Sequence, residues 1–102
     1  MIFIDVDGTL IDEDDKPRPF VVAAAWFAIA RKHQVAVWTG GGIEYAERVA
    51  RRLFPEQDVT PLAKDPLALQ YGDMVVDDML EFVVPDGVRL VTPETFVEWA
   101  LA

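Results

Sequence analysis

The chain contains no cysteine, so neither disulfides nor thiolate metal sites hold it together, and a reducing compartment is permitted. It has one histidine, His33, and that residue follows an apolar segment beside Arg31 and Lys32. At a helix end such a histidine reads as structural, not catalytic. Basic residues are scarce: nine Lys and Arg face eighteen Asp and Glu, a net charge of −9. That balance argues against non-specific affinity for nucleic-acid backbones or anionic membranes. No apolar run exceeds the eleven residues 20–30, whereas a membrane span needs about 20. Internal repeats and low-complexity tracts are also missing. No basic segment precedes the first apolar run, so no secretory signal is visible and the cytoplasm is the expected compartment.

What is present is a chain of 102 residues, 52% hydrophobic, enough for a single domain over residues 1–102 with a real core. Its organising stretch is Ile2-Phe3-Ile4-Asp5-Val6-Asp7-Gly8-Thr9. A short, nearly continuous run of β-branched and aromatic residues reads as a parallel strand buried on both faces. Asp5 and Asp7 then stand at its carboxyl end, where ligands bind in open α/β sheets. Alternation along the strand predicts that the two carboxylates point the same way. Held close, they repel, and a shared proton or a bound cation relieves the repulsion. A hard divalent ion with oxygen ligands is the simplest relief. Gly8 permits a turn, and Thr9 adds a hydroxyl and a backbone amide. The run Asp12-Glu13-Asp14-Asp15 reads as a solvated acidic loop.

Downstream, Pro19 can open a helix, and residues 20–30 follow without a single polar side chain. A helix apolar on every side is expected to be buried on every side. Otherwise a face carrying Val21, Val22, Trp26 or Ile29 meets a second protein, so self-association through residues 20–30 is an expectation to test. Arg31, Lys32 and His33 would close its last turn. A second strand at 35–38 leads through Thr39-Gly40-Gly41-Gly42 into an amphipathic helix over 43–53. A hydroxyl, three glycines and a helix N-terminus make an anion site. Residues 58–62 form an edge strand marked by Pro61. Lys64 and a helical turn at 67–71 come next, then a fourth strand at 74–76 ending in Asp77-Asp78. A fifth strand at 88–91 precedes a last helix, capped by Thr92 with Pro93 in its first turn. The alternation predicts a doubly wound, three-layer α/β sandwich around a mainly parallel five-stranded sheet.

The sequence DVDGTL at residues 5–10 resembles the first motif of the haloacid dehalogenase-like phosphohydrolases, DxDGT followed by an apolar residue. Thr39-Gly40 is similar to that family's second motif, Lys64 to its third and Asp77-Asp78 to its fourth. The resemblance implies strand order 3-2-1-4-5, Asp5 as nucleophile and Asp7 as general acid/base. It also implies phosphate binding by Gly8, Thr9, Thr39, Gly40 and Lys64, and Mg²⁺ held by Asp5, Asp7, Asp77 and Asp78. A competing alignment takes Gly72-Asp73 and Asp77 as the family's GDxxxD variant. It would need a strand where residues 67–71 read as a helical turn.

No cap domain fits between Thr9 and the first helix or between Thr39 and Lys64. The capless members that the chain resembles take bulky phosphorylated protein or nucleic-acid ends, or are covered by another subunit. The expected activity is a Mg²⁺-dependent phosphatase acting on a phosphate ester, small or macromolecular, through an aspartyl-phosphate. The alternatives are a non-catalytic Mg²⁺-binding module that acts through a protein partner, and a phosphotransferase.

Overall fold

Ile2, Phe3, Ile4 and Asp5 are all buried and form the central strand β1 (Ile2–Asp5). Around it, the computed structural model describes residues 1–81 and 83–102. The other elements are α1 (Pro19–Ala30), β2 (Val35–Thr39), α2 (Ile43–Leu53), β3 (Val59–Ala63), a 3₁₀ turn at Pro66–Ala68, β4 (Met74–Val76), β5 (Arg89–Val91) and α3 (Pro93–Leu101). The five strands make one sheet in the order β3-β2-β1-β4-β5. Every pairing is parallel. The chain winds outward from β1 to β3, then crosses back to β4 and out to β5, giving a doubly wound α/β fold with its switch point between β1 and β4.

The period of two along each strand sorts the core. Ile2, Ile4, Val35, Val37, Met74, Val76 and Val91 face one side, where they pack with buried residues of α1, α2 and α3. Phe3, Ala36, Trp38 and Val75 face the other and meet Leu69, Val84 and Val88. The second covering layer is therefore extended chain and the 3₁₀ turn, with no α-helix in it among the described residues. On this side the rings of Phe3 and Trp38 lie 4.9 Å apart.

Helix α1 departs from the expectation of all-round burial. Val21, Ala24, Ala25 and Ala28 are buried, because alanines let the helix sit close to the sheet and to α3. Phe20 and Phe27, one heptad apart, stand 72% and 50% exposed on the outward side. An outer-layer helix has a solvent side whatever its composition. Of the four residues expected to form a partner face, Trp26 is exposed and the other three are not. Val21 belongs to the core, and Val22 and Ile29 pack against it. Trp26 donates its indole N–H to the carbonyl of Leu53 at 3.2 Å.

Residues 31–33 also lie beyond α1 instead of in its last turn, since Lys32 takes φ +72° and bends the chain away. Arg31 donates to the carbonyl of Ala100 at 2.8 Å, satisfying the end of α3 instead. His33 packs against Trp99 with ring centroids 5.1 Å apart, the structural role read for it. Among the described residues no helix is long and apolar enough to cross a membrane.

Candidate active site

The parallel register sets the site. Ile4 pairs with Val76 across β1 and β4, so Asp5 and Asp77 are the next residues of adjacent strands at the carboxyl edge. Asp5 pairs with Trp38 of β2, which puts Thr39 one step further along the same edge. Lys64 follows β3, and its backbone N–H donates to the carbonyl of Thr39 at 2.9 Å, which fixes where its side chain starts. Its ammonium then lies 3.0 Å from Asp5 Oδ1 and 3.0 Å from Asp77 Oδ2. The other oxygen of Asp77 accepts from the backbone N–H of Met79 at 2.9 Å.

β1 stops at Asp5 because the chain coils at once. The carbonyl of Val6 collects the N–H groups of Thr9, Leu10 and Ile11 at 3.0–3.2 Å. Gly8 takes φ +82°, and a Cβ there would run into the carboxylate of Asp78. Glycine is therefore required twice, for its backbone conformation and for the close approach of β4's exit. Arg18 locks the turn by donating to the carbonyl of Gly8 at 2.7 Å. The buried hydroxyl of Thr9 accepts from the N–H of Asp78 at 3.1 Å. It lies 3.3 Å from Asp5 Oδ2 and 3.4 Å from Asp78 Oδ1, and its single proton serves one of them at a time.

One oxygen from each of Asp5, Asp77 and Asp78 lies within 4.8 Å of the others, a spacing that suits a metal ion. Burial pushes the Asp5 carboxyl up to about 6; Lys64 offsets part of this by hydrogen bond and charge, while Asp77 and Asp78 add to it. Burial alone would lower the Lys64 ammonium, but its bonds to Asp5 and Asp77 outweigh that and raise it. Two of the three carboxylates, Asp5 and Asp77, thus share one lysine.

Asp7 stands apart from this group. Alternation along the strand required β1 to continue past Asp5, and the coil at Val6 ends it. The carboxylate of Asp7 is exposed, and its Oδ1 accepts from the Tyr45 hydroxyl of α2 at 2.8 Å. Burial first, then that bond, pushes the phenol up to about 12. Asp7 still lines the same cavity of about 410 Å³ as Asp5, Lys64, Asp77, Asp78, Met79 and Glu81. It also borders a second cleft of about 630 Å³, whose lining includes Asp12, Glu13, Asp15 and Arg18.

Thr39 is buried, with its hydroxyl accepting from the N–H of Gly41 at 3.1 Å inside its own turn. Gly40 is exposed, and Gly42 caps α2 with φ +96°. Asp73 lies at the opposite end of β4, where it takes up the Met1 ammonium at 3.0 Å and the N–H of Gln70 at 2.7 Å. That position excludes it from the carboxylate group and removes the alignment through Gly72-Asp73. Tyr45 and Arg18 are the participants that sequence reasoning missed. Tyr45 gives only a weak signal, an aromatic in the first turn of a helix that follows three glycines.

Comparison of the chain with models of protein families, with curated proteins and with solved structures gives no match.

Proposed function

We propose that the chain is a Mg²⁺-dependent phosphohydrolase of the haloacid dehalogenase-like, capless kind, working through an aspartyl-phosphate on Asp5. The observation that carries this reading is the Lys64 ammonium held 3.0 Å from both Asp5 and Asp77 within a group of three carboxylates. A lone nucleophile needs no such surplus of negative charge. A site that must also bind a cation does.

The donor set fits a hard divalent ion: Asp5, Asp77 and Asp78 offer carboxylate oxygens only, with no nitrogen or sulfur. When bound, such an ion supplies charge neutralisation for a transferring phosphoryl group. The chain's own groups do the rest. A carboxylate oxygen of Asp5 attacks phosphorus, the bond to the ester oxygen breaks, and its electron pair leaves with that oxygen, which takes a proton from Asp7. Water then attacks the phosphorus of the intermediate and gives a proton to Asp7, and the bond between phosphorus and the Asp5 oxygen breaks, releasing phosphate and restoring the carboxylate. Lys64 and the turn at Thr39-Gly40 face the negative charge of the transferred group, whereas the N–H groups of Gly8 and Thr9, expected to bind phosphate, are given instead to the carbonyls of Ile11 and Val6.

The acidic lining beside Asp7, with Asp12, Glu13 and Asp15, disfavours a polyanionic leaving group. An ester of a neutral alcohol suits it better than a nucleic-acid end. The lack of cysteine fits a reducing cytoplasm.

The test is phosphate release from small alkyl and aryl esters, a phosphopeptide and a 3′- or 5′-phosphorylated oligonucleotide, with Mg²⁺ or with chelator. Release is expected only with the metal, and Asp5→Asn abolishes it, because a carboxamide is no nucleophile. Equal rates in wild type and Asp5→Asn overturn the assignment. Stabilisation by Mg²⁺ without any turnover moves the reading to a metal-binding module, and phosphate delivered to an added alcohol moves it to a phosphotransferase.

A further inference from the structure

We infer that Tyr45 is a positioning residue for Asp7, holding the exposed acid in one place so that it protonates the departing oxygen. The inference rests on the phosphohydrolase reading above.

Asp7 has no strand to fix it, and an exposed carboxylate left alone samples several rotamers. Its Oδ1 instead accepts from the Tyr45 hydroxyl at 2.8 Å, a short bond to a charged acceptor. The phenol is itself held. Tyr45 packs partly buried against the helical side of the core. A Cβ at Gly41 would come within 2.8 Å of its ring, so the glycine turn supplies the space the ring occupies. The guanidinium of Arg48, three positions further along α2, lies 5.5 Å from the ring centroid. With Oδ1 engaged by the phenol, Oδ2 is the oxygen through which Asp7 passes a proton to the departing group. The turn after β2 therefore serves both halves of the chemistry, since Thr39 and Gly40 belong to the phosphate side and Gly41 seats the ring that orients the acid.

A structural tyrosine and a positioning one differ in their dependence on the leaving group. An alkoxide cannot depart unprotonated, whereas 4-nitrophenolate can, so only the former needs an oriented acid. The parameter to read is kcat/KM, which covers steps up to departure of the first product and excludes later hydrolysis of the intermediate. In Tyr45→Phe, kcat/KM for an alkyl phosphate should fall by about 10- to 100-fold, the loss typical of a misplaced reacting group. For 4-nitrophenyl phosphate it should stay within about threefold of wild type. The ratio of the two is independent of how much of the variant is folded, so poor folding does not obscure the result. Asp7→Asn should show the same split more strongly, and Tyr45→Phe should add nothing to it in the double variant. An equal loss on both esters, an unchanged ratio, or additive losses in the double variant overturn the inference alone. A wild type that releases no phosphate from either ester overturns it together with the reading on which it rests.

Discussion

The two ends of β4 carry buried aspartates with opposite circumstances. Asp73, before Met74, has the Met1 ammonium at 3.0 Å and a backbone N–H at 2.7 Å. One carboxylate thus meets one cation. Asp77, after Val76, also has an ammonium at 3.0 Å, but Lys64 is shared with Asp5, and Asp78 stands in the same group. Burial and a near cation are common to both ends, so neither marks a site. What distinguishes the carboxyl end is charge in excess of its partners, placed where parallel strands of an open sheet leave a crevice. An uncompensated group of this kind has use for a further cation; a balanced pair holds the fold.

The sharpest way to break the comparison is to remove the shared lysine. Lys64→Met leaves Asp5 and Asp77 without the cation they share. Breaking a buried pair from one side costs about 3–5 kcal/mol, and the lysine side chain is 25% exposed, so the lower end is expected. At roughly 4–8 °C per kcal/mol for a domain of this length, the melting temperature without metal should fall by more than about 10 °C. Phosphate release should be lost as well. A variant that melts with wild type in chelator would show that Asp5 and Asp77 do not depend on Lys64.

The next effect is the response to metal. An ion that binds only the folded form contributes about 2.7 kcal/mol at a hundred times its dissociation constant. Mg²⁺ should therefore raise the melting temperature of wild type by roughly 10–20 °C. Asp77→Asn should shrink that increment while making the metal-free protein more stable, because repulsion falls. Asp73→Asn should leave the increment intact. If the two variants lose it equally, the distinction between the two ends of β4 is wrong.

Much of this arrangement was legible in the sequence. The strands, the three helices and the winding followed from short, mostly apolar stretches of three to five residues alternating with longer helical segments. Asp5, Asp77 and Asp78 could be placed because they stand at or just past the ends of strands in one parallel sheet, and parallel strands end together. For Lys64 the signal is its resemblance to a motif in the right order, since a lysine after a strand is by itself an ordinary surface group. Three things could not be read locally. The direction of Asp7 depended on where β1 stops, which is decided by three N–H groups converging on Val6. Tyr45 reaches Asp7 across 38 positions of sequence, a distance no periodicity encodes. The exposure of Phe20 and Phe27 depends on what covers α1, and an apolar pattern alone states only what would tolerate burial.

The smallest expected effect concerns pH and isolates Asp5. Burial raises its carboxyl from the ordinary value of 3.8 to about 6 in the folded protein. Between those values the native state holds more protons than the unfolded chain, so stability falls as pH rises through this window. Below about pH 4 the group contributes no penalty, and above about 6 the penalty is complete. At about 1.4 kcal/mol per unit the loss is bounded by about 3 kcal/mol, and repulsion within an unfolded chain of charge −9 makes it smaller. Metal changes the sign of the dependence, since a cation favours the ionised carboxylate and binds better as pH rises. Melting temperatures in chelator should therefore decline from pH 4.5 to pH 7 and should rise over the same range with Mg²⁺. Asp5→Asn should flatten both trends, whereas Asp73→Asn, at the far end of β4, should leave them as they are. A chelated wild type whose stability climbs through this window would mean that the Lys64 pair outweighs burial at Asp5, and that the carboxyl edge carries no surplus charge for a metal to relieve.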